Sequence, residues 1–510
     1  MSKIQGADAL VVAIDQGTSS TKAVVVDCTG RIVARAAVPL GQSHPAPGWV
    51  EQDPRELLDS VKVAVSEALV GVHGTVAALG LSSQRESALM WDRKTGEPLG
   101  PLLGWQDRRT APDAQRLSQE GHGDRVRALT GLPLDPMFSA LKFRWLLDQV
   151  DPDRSRSRAG DICLGTVDSW IVYSLTGDHR IEMGNASRTQ LLNIETGQWD
   201  DQLLELFSIP RQALPEVVDS NAASAPVVGL PGVPAGVRVE AVLADSHAAL
   251  YGHGVRDAGA VKVTYGTGSS IMGLLDTGGA PGDGLVKTVA WSFDGPIHAF
   301  EGNILSAGST AVWLASLLST TPAELAAMAE TAEPSEGLYL VPAFAGLGAP
   351  WWDDSARGLI TGLTLGSSVA DLARAAFESI VFQVEDVLAA ADAAMPEGTR
   401  IGTILADGGP SSNKWLMQTQ ADMSQRNVSL PAAGELSALG VAYLAGESTG
   451  LWSSARALKF CTSDTTIRPE IETSLAADRV AGWRDAINRA RGARGSHAQS
   501  DTAVGGQGLQ

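Results

Sequence analysis

The chain has 510 residues, 44% of them hydrophobic, and 58 acidic against 39 basic side chains give a formal charge of −19. That length favours two or more domains, with a cleft between them as the first place to look for function. The acidic excess argues against a nucleic-acid partner, because neutralising backbone phosphates takes clustered Lys and Arg.

No apolar run approaches the length of a membrane span, and residues 1–10 contain Asp8 and no long apolar stretch. A cytoplasmic protein with no membrane partner is expected. The three cysteines, Cys28, Cys163 and Cys461, lie too far apart for a disulfide framework or a zinc-ligand spacing. The eight histidines show no metal-binding spacing.

In chain order, the apolar run 10–14 is closed by Asp15-Gln16-Gly17-Thr18-Ser19-Ser20, and the run 23–26 ends at Asp27 before Gly30. This predicts a β-hairpin with a polar, glycine-bearing tip. A helix is expected over 54–69, a strand over 75–81, a helix over 136–150, and a strand over 237–243 followed by a helix-like 245–251. The stretch Gly-His-Gly-Val-Arg-Asp-Ala-Gly at 252–259 then marks a domain boundary. A second hairpin follows: run 261–265, the tip Gly266-Thr267-Gly268-Ser269-Ser270, and run 271–275 ending at Asp276. Downstream come a strand over 401–405, a turn at Asp407-Gly408-Gly409-Pro410 and a helix from about Asn413. From Ala490 the chain turns small and polar and reads as a disordered tail. Alternating strands and helices predict an α/β fold.

The second hairpin copies the first, with about ten residues from Gly17 to Asp27 and again from Gly266 to Asp276. A repeat at half the chain length points to duplicated domains, not to a short-period solenoid. Glycine beside Thr and Ser lets backbone N–H groups and hydroxyls approach phosphate oxygens. Each tip alone also reads as ordinary turn chemistry; the matched pair favours a nucleotide grip. Neither common nucleotide fingerprint, the P-loop or the dinucleotide-binding glycine motif, is present. Asp15 and Asp245 stand at strand ends, where a carboxylate holds Mg²⁺ or takes a hydroxyl proton, although Asp245 also reads as a helix N-cap. Arg85-Glu86 could bind a polyhydroxylated ligand or form a surface ion pair, and Trp105 could face a sugar or fill core.

From about residue 10 to residue 450 the chain resembles the FGGY family of carbohydrate kinases, and within it the glycerol kinases most closely. The resemblance rests on Asp-Gln-Gly-Thr-Ser-Ser at 15–20, Pro-Gly-Trp-Val-Glu-Gln-Asp-Pro at 47–54, Gln-Arg-Glu at 84–86 and Trp-Gln-Asp-Arg-Arg-Thr at 105–110. It continues through Gly-Thr-Val-Asp-Ser-Trp at 165–170, Tyr-Gly-Thr-Gly at 265–268 and Pro-Ala-Phe-Ala-Gly-Leu-Gly-Ala-Pro-Trp-Trp at 342–352. Segments 137–149, with Lys142 and Trp145, and 358–378, with Gly362, Asp371 and Glu378, resemble the family's signature stretches.

The resemblance implies two actin-like, ribonuclease H-like domains closing over ATP and a substrate. These would be 1–254, with the substrate site and first phosphate hairpin, and 255–489, binding nucleotide, before a tail 490–510. It implies that Thr18, Ser19, Ser20 and Lys22 contact phosphates, with Lys22 in place of the usual Arg. Thr267, Gly308, Gly409 and Asn413 would hold phosphates and adenosine, with Val312 replacing a Gln at a nucleotide contact. Asp15 would organise Mg²⁺ and Asp245 would be the base. A homodimer would be typical.

Arg85, Glu86 and Trp105 keep the glycerol-kinase pattern, but Met137 replaces Tyr, Ser246 replaces Gln and Ser270 replaces Phe. The pocket thereby gains room and hydroxyls and loses aromatic wall, which predicts a four- or five-carbon polyol or ketose in preference to glycerol. Asp245-Ser246-His247-Ala248 resembles the Asp-x-His-Ala of ribulokinase-like members, making a pentulose kinase the alternative; His247 also reads as a satisfied helix histidine. A nucleotide-gated sensor without turnover is a further alternative, disfavoured by the retained Asp245 and Asp15. Loop 229–238 lacks the Gly/Lys-rich pattern and the phosphorylatable His used to regulate some relatives, so neither control is expected.

Overall fold

The computed structural model describes residues 8–333, 337–396, 399–432, 434–461 and 463–492. In the first half, β1 (Ala9–Gln16) and β2 (Ser20–Val26) form the expected hairpin, with Asp15 opposite Lys22. Strand β3 (Ile32–Pro39) joins β2 antiparallel, while β4 (Thr75–Ser83) and β5 (Val239–Ala244) add in parallel beyond β1. The five-stranded order is β5-β4-β1-β2-β3.

The second half begins with β6 (Ala260–Tyr265) and β7 (Ser269–Leu274), the second hairpin. Strands β8 (Val286–Ser292), β9 (Pro296–Ile304), β10 (Thr403–Asp407), β11 (Asn427–Pro431) and β12 (Ser463–Ile467) complete a seven-stranded sheet ordered β8-β9-β7-β6-β10-β11-β12. Its inner five strands repeat the first sheet strand for strand, with the same parallel and antiparallel senses. The duplication visible in the hairpins thus extends to the whole sheet.

Parallel strands covered on both faces read as nearly continuous apolar runs, as β1 and β4 do. One face of the first sheet, with Leu10, Val12 and Ile14, packs on α1 (Pro54–Ala68), which Asp53 caps and Pro54 opens. Between β4 and β5 a large insertion carries α2 (Ser139–Val150), starting three residues later than expected because Asp135 accepts from the Met137 amide and holds residues 136–138 in a turn. The insertion has its own core, which Val289 of β8 joins. Strand β5 runs directly into α3 (Asp245–Gly252).

The second half supplies α4 (Gly308–Leu317), α5 (Val369–Ala394), α6 (Lys414–Ser424), α7 (Leu436–Ser448) and α8 (Thr473–Gly492). Helices α5 and α6 cover one face of its sheet over Val261, Val263 and Tyr265, and α8 stacks on α5 through Trp483 and Phe382. Helix α8 continues through Gly492 and buries Ala490, so the expected tail does not begin at residue 490; residues 493–510 lie outside the described ones. Helix α7 lies on the other face of the first sheet, where Ala438, Leu439, Val441 and Ala442 meet Val11, Ala13, Ala78 and Leu243. Packing and chain order therefore part company at α7. Among the described residues no helix is long and apolar enough to cross a membrane.

Candidate active site

A cleft of about 650 Å³ opens between the two sheets, lined among others by Asp15, Lys22, Asp245, Ser246, Asp407 and Glu435. It brings together four of the residues singled out from sequence. The first hairpin tip closes with the Gly17 amide donating to the Ser20 carbonyl at 3.0 Å. Thr18 is held twice: Trp105 Nε1 donates to its Oγ1 at 3.0 Å and Gln52 Nε2 to its carbonyl at 2.9 Å. Ser19 accepts through its carbonyl from the Leu40 amide. Trp105, 38% exposed, is not core filling. Its segment is fixed by Arg109, which lies over the rings of the perpendicular pair Trp49 and Trp145 and is bonded to Asp107 at 2.8 Å and Glu51 at 2.7 Å. The motifs at 47–54 and 105–110 thus brace one hairpin tip.

At the second tip the Thr267 carbonyl accepts from the Ala307 and Ser309 amides, and the Gly308 amide donates to the Gly266 carbonyl at 2.9 Å. A Cβ on Gly308 would stand 2.5 Å from that carbonyl oxygen, so only glycine lets α4 start there. Gly408 (φ 90°) turns the chain after β10, and a Cβ on Gly409 would meet nothing within 4 Å, leaving the backbone open to a ligand. The Asn413 side chain caps α6 by accepting from the Leu416 amide at 3.0 Å, and Val312 is exposed on α4.

Arg85 and Glu86 do not form a surface ion pair. The Arg85 guanidinium forks onto Glu301 of β9 at 2.7 and 3.1 Å and lies 3.5 Å from Asp245. Arg188 stands 2.6 Å from Glu86 and 2.9 Å from Glu301. Burial alone would raise the fully buried Glu301 carboxyl, but Arg188 and Arg85 hold it well below the usual carboxylate range. Glu86 is buried with a left-handed backbone (φ 54°), a strained state for a non-glycine residue. Lys142 stabilises it by donating to the Glu86 carbonyl at 2.8 Å and the Met137 carbonyl at 2.6 Å. Burial pushes the Lys142 ammonium down to about 7. Met137 itself packs beside Leu132, Phe138 and Val286, at the seam between the halves.

Helix α3 begins at Asp245, and its carboxylate makes no cap bond; it accepts from the neighbouring Ser246 amide at 2.6 Å. The N-cap alternative is not realised. Although its side chain is 40% exposed, desolvation at the cleft floor and the Glu86 charge raise its pKa, against the pull of Arg85. Asp15 accepts from Ser82 Oγ at 3.0 Å and is pushed up to about 6 by burial and by Asp245. Lys22 is not free: Glu435 holds its Nζ at 2.9 Å across the cleft. Ser246 Oγ accepts from Lys262 Nζ at 2.9 Å. Ser270 Oγ, on β7 opposite Thr264, is buried without a partner among the described residues, as are both ring nitrogens of His247. Burial keeps His247 neutral, and it is not a satisfied helix histidine.

Glu301, Arg188, Lys262 and Glu435 escaped the sequence reading. The available signal was a lone charge inside an apolar strand, as Lys262 stands between Val261 and Val263.

The duplicated sheets with a cleft between them define a two-domain actin-like fold. The chain matches the FGGY family of carbohydrate kinases, N-terminal domain, over residues 10–252, and its C-terminal domain over 261–448. It is 42% identical over 507 residues to a glycerol kinase of Burkholderia cenocepacia, covering 95% of this chain and 98% of that one. Among solved structures, Plasmodium falciparum glycerol kinase with ADP superposes with a TM-score of 0.89 at 29% identity, covering 94% of this chain and 98% of that one. A xylulose kinase from Lactobacillus acidophilus shares the fold at 0.86 and 23% identity, over 96% and 99% of the two chains. The chain belongs to the FGGY family of carbohydrate kinases. It is a phosphotransferase that acts on an alcohol group, and neither the pentulose-kinase nor the sensor alternative is favoured by these relatives.

Proposed function

We propose that the protein transfers the γ-phosphoryl of ATP to a primary hydroxyl of a four- or five-carbon polyol. The observation that carries the acceptor size is the buried, unpartnered Ser270 Oγ on the strand facing Thr264 of the cleft. A buried hydroxyl without a partner is costly, and an extra substrate hydroxyl would satisfy it. Ser246 and the flexible Met137 leave room for the added carbon.

In this reading Asp245 accepts the hydroxyl proton as the acceptor oxygen attacks in line, its raised pKa matching it to the task. Arg85, Glu86 and Trp105 orient the polyol. Thr18, Ser19, Ser20 and Lys22 meet the phosphates from one side, and Thr267, Gly308, Gly409 and Asn413 take the nucleotide from the other. The open backbone at Gly409 fits such a ligand. Asp15 offers a carboxylate oxygen at the cleft, and no group of three ligating side chains occurs among the described residues. That donor set fits a hard cation completed by phosphate oxygens and water. When bound, Mg²⁺ would neutralise charge on the phosphates. The division into domains 1–254 and 255–489 is part of the same proposal, with closure of the cleft excluding water.

The test is a kcat/KM panel over glycerol, tetritols, tetruloses, pentitols and pentuloses with ATP. A tetritol or pentitol is expected to exceed glycerol by at least about tenfold, the worth of one well-placed hydrogen bond. A clear preference for glycerol overturns the enlarged acceptor.

A further inference from the structure

Lys262 lies on β6, where the two-residue period sends Val261 and Val263 into the core and turns Lys262 and Thr264 toward the cleft. It is 1% exposed, yet no carboxylate lies within ion-pairing distance of its Nζ among the described residues. Its two partners are neutral hydroxyls, Ser246 Oγ and Thr264 Oγ1, both at 2.9 Å. An ammonium has three donors, so one is left over. The molecule's other buried cations at this junction are compensated: Arg85 and Arg188 share Glu301, and Arg109 has Asp107 and Glu51. Lys142, the other buried lysine, spends itself on two backbone carbonyls away from the cleft lining.

A buried cation without a counter-charge is expensive unless something anionic arrives. Burial, helped by the nearby Arg85 charge, pulls the Lys262 ammonium below its ordinary value, and Asp407 and Asp245 only partly offset this. Asp245 and Ser246 share the cleft wall with Lys262, and Asp407 opens the turn into Gly408 and Gly409. Lys262 therefore stands between the proposed base and the proposed nucleotide loop. We propose that Lys262 is a catalytic residue whose Nζ binds the phosphoryl group in transit between nucleotide and acceptor. This rests on the phosphotransfer reading above. As the acceptor oxygen forms the new P–O bond, the bond from the γ-phosphorus to the bridging oxygen breaks. Its electron pair leaves with the nucleoside diphosphate, and the hydroxyl proton passes to Asp245. Lys262 stays protonated throughout and donates to the phosphoryl oxygens, then to the phosphate ester formed.

The test compares wild type and K262M, a substitution that keeps length and removes charge, with ATP, erythritol and erythritol monophosphate. K262M is expected to melt near wild type, to keep KM for erythritol within about threefold, and to lose about 10²–10³-fold in kcat, the usual worth of one donor to developing charge. Inhibition by erythritol monophosphate should weaken at least about tenfold, while erythritol binding stays level. A K262M with near-normal kcat overturns the proposal. So does a loss confined to erythritol affinity, which would make Lys262 only a support for Ser246. If K262M does not fold, T264V removes one Nζ partner without removing the charge: kcat should fall about 3–10-fold, and an unchanged kcat counts against the assignment. Absence of polyol-dependent ATP consumption in the wild type would instead defeat the phosphotransfer reading itself.

Discussion

At the scale of single residues, the proposed base Asp245 is the group on which turnover should depend. It must be ionised to accept a proton, and its folded pKa is raised, so kcat falls with acidification while the pH is still above the ordinary carboxylate value of 3.8. D245N is expected to fold normally, to lose about 10²–10⁴-fold in kcat and to lack that acid limb. A pH–kcat profile measured on both proteins checks this; an identical limb in D245N would assign the titration elsewhere. The place of Asp15 and Asp245 at strand ends, where both line the cleft, was legible in the sequence because each closes an apolar run. The charges at Glu301 and Arg188 were not. Their meaning is a contact between β9 and the insertion across more than a hundred residues, and no local pattern encodes such a pairing.

At the scale of elements, the duplicated hairpins announced two sheets of one topology, and the structure extends that likeness to five strands each. What sequence could not reveal was the destination of α7. Its run of Ala, Leu, Gly and Val is apolar all round, so it reads as buried without saying against which sheet. The answer lies in close approach: a Cβ on Gly440 would stand 1.8 Å from the Ala248 carbonyl oxygen of α3, and one on Gly252 would stand 2.5 Å from the Leu436 carbonyl oxygen. Because α3 carries Asp245 at its first turn, this contact sets where the proposed base sits. G440V should therefore lower stability by about 1–3 kcal/mol, the usual cost of overpacking, and lower kcat as well. Denaturant melts paired with turnover measurements check it; full activity at reduced stability would uncouple the helix contact from the base.

At the scale of the whole molecule, Glu301 of the second sheet is clasped by two arginines from the first half, one of them 3.5 Å from Asp245. Removing its charge takes from two buried guanidiniums the carboxylate they share, leaving them only Glu86 and Asp245. E301Q is expected to cost about 3–5 kcal/mol, the usual penalty for breaking a buried ion pair from one side. Calorimetry should show one unfolding transition in the wild type and two in E301Q. A single transition in both, at unchanged temperature, would mean that the clasp does not join the halves. Across the cleft, Lys22 and Glu435 form a second, more exposed link, so on the proposed reading incoming phosphates would compete with Glu435 for the lysine.

The position of α7 on the first sheet also bears on how the chain is made. One apolar face of that sheet, with Val11, Ala13, Val24, Ala78 and Ala241, is complete in sequence once β5 has been synthesised, but its cover spans residues 436–448. During translation nearly two hundred residues emerge between the face and its lid. For that interval the nascent first half presents a hydrophobic surface to solvent, where holding by a chaperone or collapse of neighbouring chains are the competing fates. The enzyme's first-made half is thus finished almost last.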